Sequence, residues 1–188
     1  MSSPHPPAGK RNVGPRRGIG TWVVAVGAVA ILAVLALRLL PSGPGPVEVF
    51  FVRYDAAGRI GTLVPARRSA PPGGTSARLE GALRALLAGP TPEEQRQGIR
   101  SEIPGETALR GVRVRQGVAS VDLTSAFGQG GGSSSMLARV WQIVYTATDV
   151  RGVSAVQITL DGRRVQALGG EGVAIGAPLR RPAAIPAF

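Results

Sequence analysis

The feature that most constrains this chain is an apolar run near its N-terminus. Residues 19–37 carry no charge and are almost wholly apolar. At a rise of ~1.5 Å per residue, this run nearly crosses the ~30 Å hydrocarbon core of a bilayer. Arg38, whose guanidinium can reach the interface, and two further leucines extend the run to a full span at residues 19–40. The chain is therefore predicted to be a single-pass membrane protein.

A cleaved signal peptide is the alternative interpretation of this run. The apolar core of such a peptide is usually ~7–15 residues long and precedes a small-residue cleavage site, which "LRLLPSGPG" lacks. We therefore favour an uncleaved anchor. The basic residues between Lys10 and Arg17 keep residues 1–18, a disordered tail, in the cytoplasm. Residues 41–46, "PSGPGP", form a short linker, and everything after it is predicted to be extracytoplasmic.

Composition excludes several kinds of site from the extracytoplasmic part. The chain has no cysteine, and its one histidine, His5, lies in the basic tail. Disulfides, His/Cys zinc sites and nucleophiles activated by histidine therefore cannot form there. The part after residue 46 carries 17 basic and 11 acidic residues, a net charge of +6. Its arginines are scattered without interleaved aromatics, so we predict no nucleic-acid partner. We also predict no metal and no cofactor.

Strand patterns dominate the part after the linker. Residues 47–54 are apolar on both faces, which predicts a central strand. Residues 59–68 predict a weaker edge strand, because Pro65 interrupts the run. The alternation of apolar and polar side chains across residues 109–127 predicts a hairpin, and residues 153–162 predict a last strand.

Two amphipathic helices accompany these strands. Residues 77–89 and residues 134–152 each place apolar side chains at helical spacing along one stripe. The second stripe contains Trp141 and Tyr145, which we predict to be core residues and not a platform for a ligand. The apolar stripe of such a helix must be buried against another element, here the predicted sheet.

The predicted fold class follows from this order of elements. We expect a two-layer α+β domain at residues 47–168, with two amphipathic helices on a mixed or antiparallel sheet. Residues 169–188 are rich in Pro, Gly and Ala and are expected to form a loosely ordered C-terminal tail.

The segment "GPTPEEQRQGIRSEIP", residues 89–104, has the marks of a capped connection. Thr91 can cap a helix whose first residue is Pro92 and whose third is Glu94, which together predict a capping box. We therefore favour a capping role over acid–base chemistry for Glu93 and Glu94. The glycine-rich residues 128–135 could cradle an anion, but we favour a flexible connection with a serine cap.

Three segments of this domain resemble the GerMN domain of sporulation and germination proteins. They are "LLAGPTPEEQRQGIRSEIP", "VRVRQGVASVDLT" and "VWQIVYTATDVRGVSAVQITLDGRRV". The shared marks are Gly89, Pro90, Thr91, Glu94, Gly98, Ile103, Pro104, Val121, Asp122, Leu123, Tyr145, Thr146, Asp161 and Gly162. The resemblance covers about residues 47–165.

This resemblance implies an extracytoplasmic, non-catalytic module at the cell membrane of a Gram-positive bacterium. Such domains are associated with sporulation, germination and envelope processes, through contacts with proteins or with cell-wall material. The chain departs from the GerM pattern in having one domain where GerM has two in tandem. It also has an apparent transmembrane helix where GerM has a lipid-attached cysteine.

Three functional hypotheses remain open. In the first, which we favour, the domain recognises an envelope or sporulation protein, itself, or peptidoglycan or another wall polymer. The candidate contact residues are Gly89, Pro90, Glu94, Pro104, Arg113 and Arg115, and no residue is predicted to be catalytic. The second is a carboxylate-dependent cell-wall hydrolase, which needs two carboxyl groups ~5–9.5 Å apart in a cleft. The third is a purely electrostatic binder of anionic envelope polymer.

Overall fold

The computed structural model describes residues 45–188, apart from 59–60, 170–171 and 185–186. The predicted cytoplasmic tail at residues 1–18 and the predicted membrane span at residues 19–40 lie outside the described residues. Within the part of the chain that the structure describes, no helix has the length and apolar character needed to cross a membrane.

The first sheet has three antiparallel strands in the order β2-β1-β3. They are β1 (Gly45–Tyr54), β2 (Gly61–Ala70) and the short β3 (Ile99–Arg100). The central place of β1 and the edge place of β2 were both predicted. Pro65 does not interrupt β2, however, and lies opposite Phe50 in the register. An edge strand tolerates proline because the missing N–H need not be part of the ladder.

The second sheet also has three strands, in the order β4-β5-β6. They are β4 (Leu109–Arg115), β5 (Val118–Leu123) and β6 (Ala155–Leu160), with β4 antiparallel and β6 parallel to β5. The predicted hairpin is confirmed. Gln116 and Gly117 have φ values of 50° and 79°, which the two-residue type I′ turn requires and which match the twist of the strands.

Two long helices and one short helix accompany the sheets. They are α1 (Thr75–Leu87), α2 (Pro92–Arg96) and α3 (Ser133–Asp149), and a 3₁₀ turn spans Ser125–Gly128. The predicted apolar stripe of α1 is buried, as expected for a helix that covers a sheet. In α3, Tyr145 is buried as predicted, whereas Trp141 is only half-buried.

The α+β class is confirmed, but the predicted single sheet is divided into two. The six main strands form two separate three-stranded sheets, and β7 (Ala167–Leu168) and β8 (Val173–Ala174) add a small ribbon. One hydrophobic core joins both sheets and both long helices. Its fully buried members include Phe51, Leu79, Leu83, Val121, Leu123, Ile143 and Ile158.

Polar side chains of α3 close the free edge of β1. The Thr146 hydroxyl accepts from the Phe50 N–H at 3.0 Å, and the Gln142 amide donates to the Phe50 carbonyl at 3.1 Å. Farther along, an Asp149 carboxylate oxygen accepts from the Glu48 N–H at 3.1 Å. These three helical residues recur at three- and four-residue spacing, so they share one face. The helix therefore satisfies strand groups that a further strand would otherwise bond.

The C-terminal segment, expected to be loosely ordered, makes defined contacts in its described part. Leu179 exchanges two backbone hydrogen bonds of 2.8 Å with Val156 on the outer edge of β6. Ile175 is fully buried and its carbonyl accepts from the Gln157 side-chain amide at 3.1 Å. Gln157, which alternates with the apolar residues of β6, is buried for this reason. Isolated large apolar residues in a segment rich in Pro, Gly and Ala carry no periodic signal that would reveal such packing.

Candidate functional site

The predicted capping box at α2 is confirmed. The Thr91 hydroxyl accepts from the Glu94 N–H at 3.3 Å, and the Glu94 carboxylate accepts from the Thr91 N–H at 2.8 Å. Glu93 does not share this role, because its carboxylate pairs with Arg96 in the next turn of the helix. A glutamate at the third helical position can accept a hydrogen bond from the backbone N–H of the N-cap residue.

Glu94 has a second partner that local sequence rules could not reveal. Arg68 on β2 donates to both of its carboxylate oxygens, at 2.9 Å and 2.5 Å. This paired hydrogen bond holds the pKa of Glu94 below its usual range, against the opposing effect of partial burial. The same guanidinium lies over the Phe51 ring at 5.5 Å. The carboxylate of Glu94 is therefore committed to joining α2 to the first sheet.

The other candidates in this segment also hold the chain in shape. Gly89 has a φ of +81° and donates its N–H to the Leu86 carbonyl at 3.0 Å, which ends α1. The Pro90 carbonyl accepts from the Gln95 side-chain amide at 2.9 Å. Pro104 lies elsewhere, on the rim of an open groove of about 520 Å³ that Arg139 also lines. The structure thus separates Pro104 from Gly89, Pro90 and Glu94.

Arg139 is a buried residue that the sequence reasoning missed. It is 2% exposed, and its guanidinium donates to three carbonyls of the preceding loop and to the Ser135 hydroxyl. Burial lowers the pKa of this guanidinium. The predicted serine cap is wrong, because Gly132 is the N-cap and no side chain bonds there. A glycine-rich loop whose carbonyls need donors, followed by an arginine at the seventh position of a helix, was the available signal.

The solvent face of the second sheet forms an open groove of about 560 Å³. The Asp122 carboxylate lies in it and accepts from the Thr159 hydroxyl and the Gly162 N–H, each at 2.8 Å. Burial raises the pKa of Asp122, but these hydrogen bonds and one from Arg110 outweigh it, and the pKa is lowered. The groove is lined by Arg110, Gly111, Val112, Arg113, Ser120, Asp122, Thr159 and Gly162.

Arg110 joins two carboxylates beside this groove. It donates to Asp122 at 3.2 Å and to Asp161 at 3.3 Å. The second oxygen of Asp161 accepts from the Ser125 N–H at 3.2 Å. The lowered pKa of Asp122 favours its ionised form, which is the wrong form for a general acid. Among the described residues, no group of acidic or histidine side chains is arranged to hold a metal ion.

Arg113 and Arg115 are two exposed arginines on the same face of one strand. Both are exposed on β4, on the solvated face that the alternation predicts. Neither guanidinium makes a hydrogen bond or an ion pair with any residue that the structure describes. Arg113 lines the same groove as Asp122, whereas Arg115 lies two residues farther along β4, next to the turn. This surface, which we call the β4 arginine face, carries two guanidinium groups that form no ion pair with a described carboxylate.

Comparison with known proteins places this fold among sporulation domains. A family model named Germane and described as "Sporulation and spore germination" matches residues 48–166. No curated protein matches the chain. Three solved structures share the fold at low sequence identity.

The first of these structures is a Clostridium perfringens protein described as a lipoprotein. It has a TM-score of 0.53 and 18% identity, over 74% of this chain and 89% of that one. The tandem GerMN domains of the sporulation protein GerM from Bacillus subtilis give 0.57 and 17%, over 76% of this chain and 48% of that one. The first GerMN domain of the same protein gives 0.52 and 20%, over 73% and 98%.

Proposed function

Since the chain belongs to the Germane family of sporulation and spore germination domains, we propose that it is a non-catalytic recognition module of a Gram-positive cell envelope. Its GerMN-like domain binds an acidic envelope partner through the β4 arginine face. The module is held at the cell membrane by residues 19–40, with its N-terminus in the cytoplasm.

The apolar run and its basic flank support the membrane anchor. Residues 19–40 have the length and composition of a span, and the basic residues before them favour a cytoplasmic N-terminus. The similar Clostridium perfringens protein is described as a lipoprotein, which is another means of attachment to a membrane. A short linker before β1, which begins at Gly45, keeps the domain near the surface that anchors it.

The observation that carries the binding proposal is the unpaired state of Arg113 and Arg115. Arg68 is paired with Glu94 and Arg110 with two aspartates. Arg53 and Arg67 are also exposed without an ion pair to a described residue, but they lie on two different strands, whereas Arg113 and Arg115 share one face of β4. Two exposed cations without local counter-charges produce a positive potential that attracts and orients an acidic partner. A surface of this kind supports recognition without any chemical step.

The state of the carboxylates supports a non-catalytic role. A glycosidase-like hydrolase needs one carboxyl with a raised pKa as the general acid. The two carboxylates that Arg110 brings together are held as hydrogen-bond acceptors, and the pKa of Asp122 is lowered. Glu94, the best-placed glutamate of the segment at residues 89–104, is bonded to Arg68 and to its own helix cap.

The test is an in-cell crosslinking pull-down of the full-length chain, with partners identified by mass spectrometry. The double variant Arg113→Glu, Arg115→Glu should lose the acidic partner that the wild type captures. The matched control is Arg53→Glu, Arg67→Glu, which makes the same charge change at two exposed arginines of the first sheet. Capture of the same partners by both double variants would remove the β4 arginine face from the function.

A second assay tests the absence of catalysis. Purified cell wall incubated with the full-length chain should release no soluble fragments. Release that disappears in the variant Asp122→Asn would contradict the proposal and restore the hydrolase. A pull-down that recovers wall fragments alone, without a protein, would identify the acidic partner as a polymer.

A further inference from the structure

The outer edge of β4 carries backbone groups whose direction follows from the hairpin register. A two-residue type I′ turn is flanked by a pair of residues that exchange both of their hydrogen bonds. Here that pair is Arg115 and Val118, and the next such pair is Arg113 and Ser120. Bonded and non-bonded pairs alternate along an antiparallel ladder. Val112 and Val114 therefore direct their N–H and C=O groups away from β5, toward the outer edge of the sheet.

Nothing in the described part of the chain takes up these outward groups. The backbone of Val112 and Val114 forms no hydrogen bond outside the β4–β5 ladder with any described residue. The opposite side of this sheet is treated differently, because Leu179 bonds to Val156 along β6. The outer edge of β6 thus has a backbone partner, whereas the outer edge of β4, which α1 packs close to, has none among the described residues.

The side chains along the open edge alternate in character. Arg113 and Arg115 face solvent, and Val112 and Val114 are half-buried against the core on the other face. A strand added to this edge would place its own side chains beside those of β4, two residues apart on each face. Cross-strand pairs of opposite charge are favourable, so the solvent-facing side chains of the added strand should be acidic. The intervening side chains should be apolar.

We propose that β4 binds an extended segment of a partner protein, which adds as a fourth strand and presents acidic side chains to Arg113 and Arg115. This inference rests on the proposed function and names the chemistry of the partner: an acidic peptide that alternates Asp or Glu with apolar residues. Main-chain hydrogen bonds supply affinity and the alternate side chains supply specificity in such strand addition.

A second copy of this chain does not fit the same edge. Two β4 strands paired edge to edge would place arginines beside arginines, and like charges opposite one another are destabilising. Charged side chains on an edge strand are also a known protection against such self-pairing. The arginines are therefore compatible with an added acidic strand and oppose pairing of β4 with β4 of a second copy. A test must distinguish binding of an acidic strand from the mere prevention of this self-pairing.

The decisive variant is Val114→Pro. Proline removes the outward N–H of residue 114 without removing a β4–β5 ladder bond, which an edge strand tolerates. The matched control is Val114→Ala, which also trims the half-buried side chain but keeps the N–H. The probe is a fluorescent nine-residue peptide that alternates glutamate with valine, titrated into the full-length chain by anisotropy. We expect Val114→Pro to weaken binding at least ~10-fold and Val114→Ala less than ~3-fold.

A second probe keeps the test valid if Val114→Pro fails to fold. The same peptide, N-methylated at alternate residues on either register, should bind the wild-type chain at least ~10-fold more weakly than the unmodified peptide. Equal binding of methylated and unmodified peptides, or no binding of the unmodified peptide, would overturn strand addition. Equal binding to Val114→Pro and Val114→Ala would overturn it as well. Loss of cellular partners in Arg113→Glu, Arg115→Glu would then still support the β4 arginine face as a site for an acidic polymer.

Discussion

The two three-stranded sheets of this domain treat their incomplete edges in opposite ways. In the first sheet, α3 covers β1 with hydrogen bonds from Thr146 and Gln142, both fully buried. In the second sheet, β4 ends in open backbone groups beside two unpaired arginines. The same kind of polar group is therefore structural at one edge and available for binding at the other. Burial and partners, more than residue type, separate the two roles.

This comparison predicts that substitutions at the closed edge change stability, whereas substitutions at the open edge change binding. A buried backbone group that loses its partner costs its full desolvation penalty. An exposed side chain without a partner costs little to replace. The expected effects below decrease from the closed edge to the open one.

Gln142→Leu should have the largest effect. It leaves the Phe50 carbonyl and the Glu102 N–H without the partners they have at 3.1 Å and 2.8 Å, which should cost about 3 kcal/mol of unfolding free energy. Urea denaturation of the full-length chain measures this loss. The matched control is Gln157→Leu, because Gln157 is also buried but its carbonyl oxygen has no partner. Equal losses of unfolding free energy in both variants would mean that the bonds closing the β1 edge stabilise the fold no more than those of another buried glutamine.

Thr146→Val should have the next largest effect. It preserves the shape of the side chain but removes the acceptor that the buried Phe50 N–H has among the described residues, at a cost of about 2 kcal/mol. Thr148→Val is the control, since the Thr148 hydroxyl donates to the Val144 carbonyl of its own helix at 2.7 Å. That carbonyl has a helical partner, so the control should lose less than about 1 kcal/mol. A larger loss at residue 148 than at residue 146 would break the comparison.

Glu94→Gln should have a moderate effect that depends on pH. The folded pKa of Glu94 is lowered from 4.5, chiefly by Arg68, so the ionised carboxylate stabilises the fold at neutral pH. This contribution is lost as pH falls through the folded pKa. We expect a loss of about 1 kcal/mol near neutral pH, and a gap to the wild type that narrows below about pH 4.

The control for this prediction is Glu80→Gln, whose partner Arg84 lies one turn away on an exposed surface. It should lose less than about 0.5 kcal/mol. Thermal denaturation of both variants across pH measures the difference. A constant gap between Glu94→Gln and the wild type at all pH values would show that the ion pair with Arg68 does not stabilise the fold.

The open edge should show the smallest effect on stability. Arg113→Ser with Arg115→Ser removes two exposed side chains that contact no described partner, so the unfolding free energy should stay within about 0.5 kcal/mol of the wild type. Calorimetry measures this, and the glutamate–valine peptide measures the accompanying loss of binding. A destabilisation comparable with that of Gln142→Leu would assign these arginines a structural role.

Local rules predicted the parts of the fold that depend on near neighbours. The capping box at Thr91 and Glu94, the turn at Gln116 and Gly117, and the buried stripe of α1 all follow from contacts within a few residues. The exposure of Arg113 and Arg115 also follows from strand alternation. In each case the interacting residues lie within one short stretch of the sequence.

The closed edge could not be predicted in the same way. Polar residues of an amphipathic helix are expected to face water, and Gln142 and Thr146 are instead bonded to Phe50, 92 and 96 residues earlier in the chain. The ion pair between Arg68 and Glu94 is likewise set by the docking of α2 on β2. No single-sequence pattern carries the identity of such distant partners.

The hydrogen bond between Phe50 and Thr146 also has a consequence for folding during synthesis of the chain. A polypeptide made from its N-terminus presents Phe50 long before the 96 residues up to Thr146 have followed. At bacterial synthesis rates of ~5–20 residues per second, that interval lasts roughly 5–20 s. During it, the edge of β1 is a bare template on which another chain can nucleate. Docking of α3 closes this edge of β1, whereas the outer edge of β4 keeps backbone groups that another strand can bond.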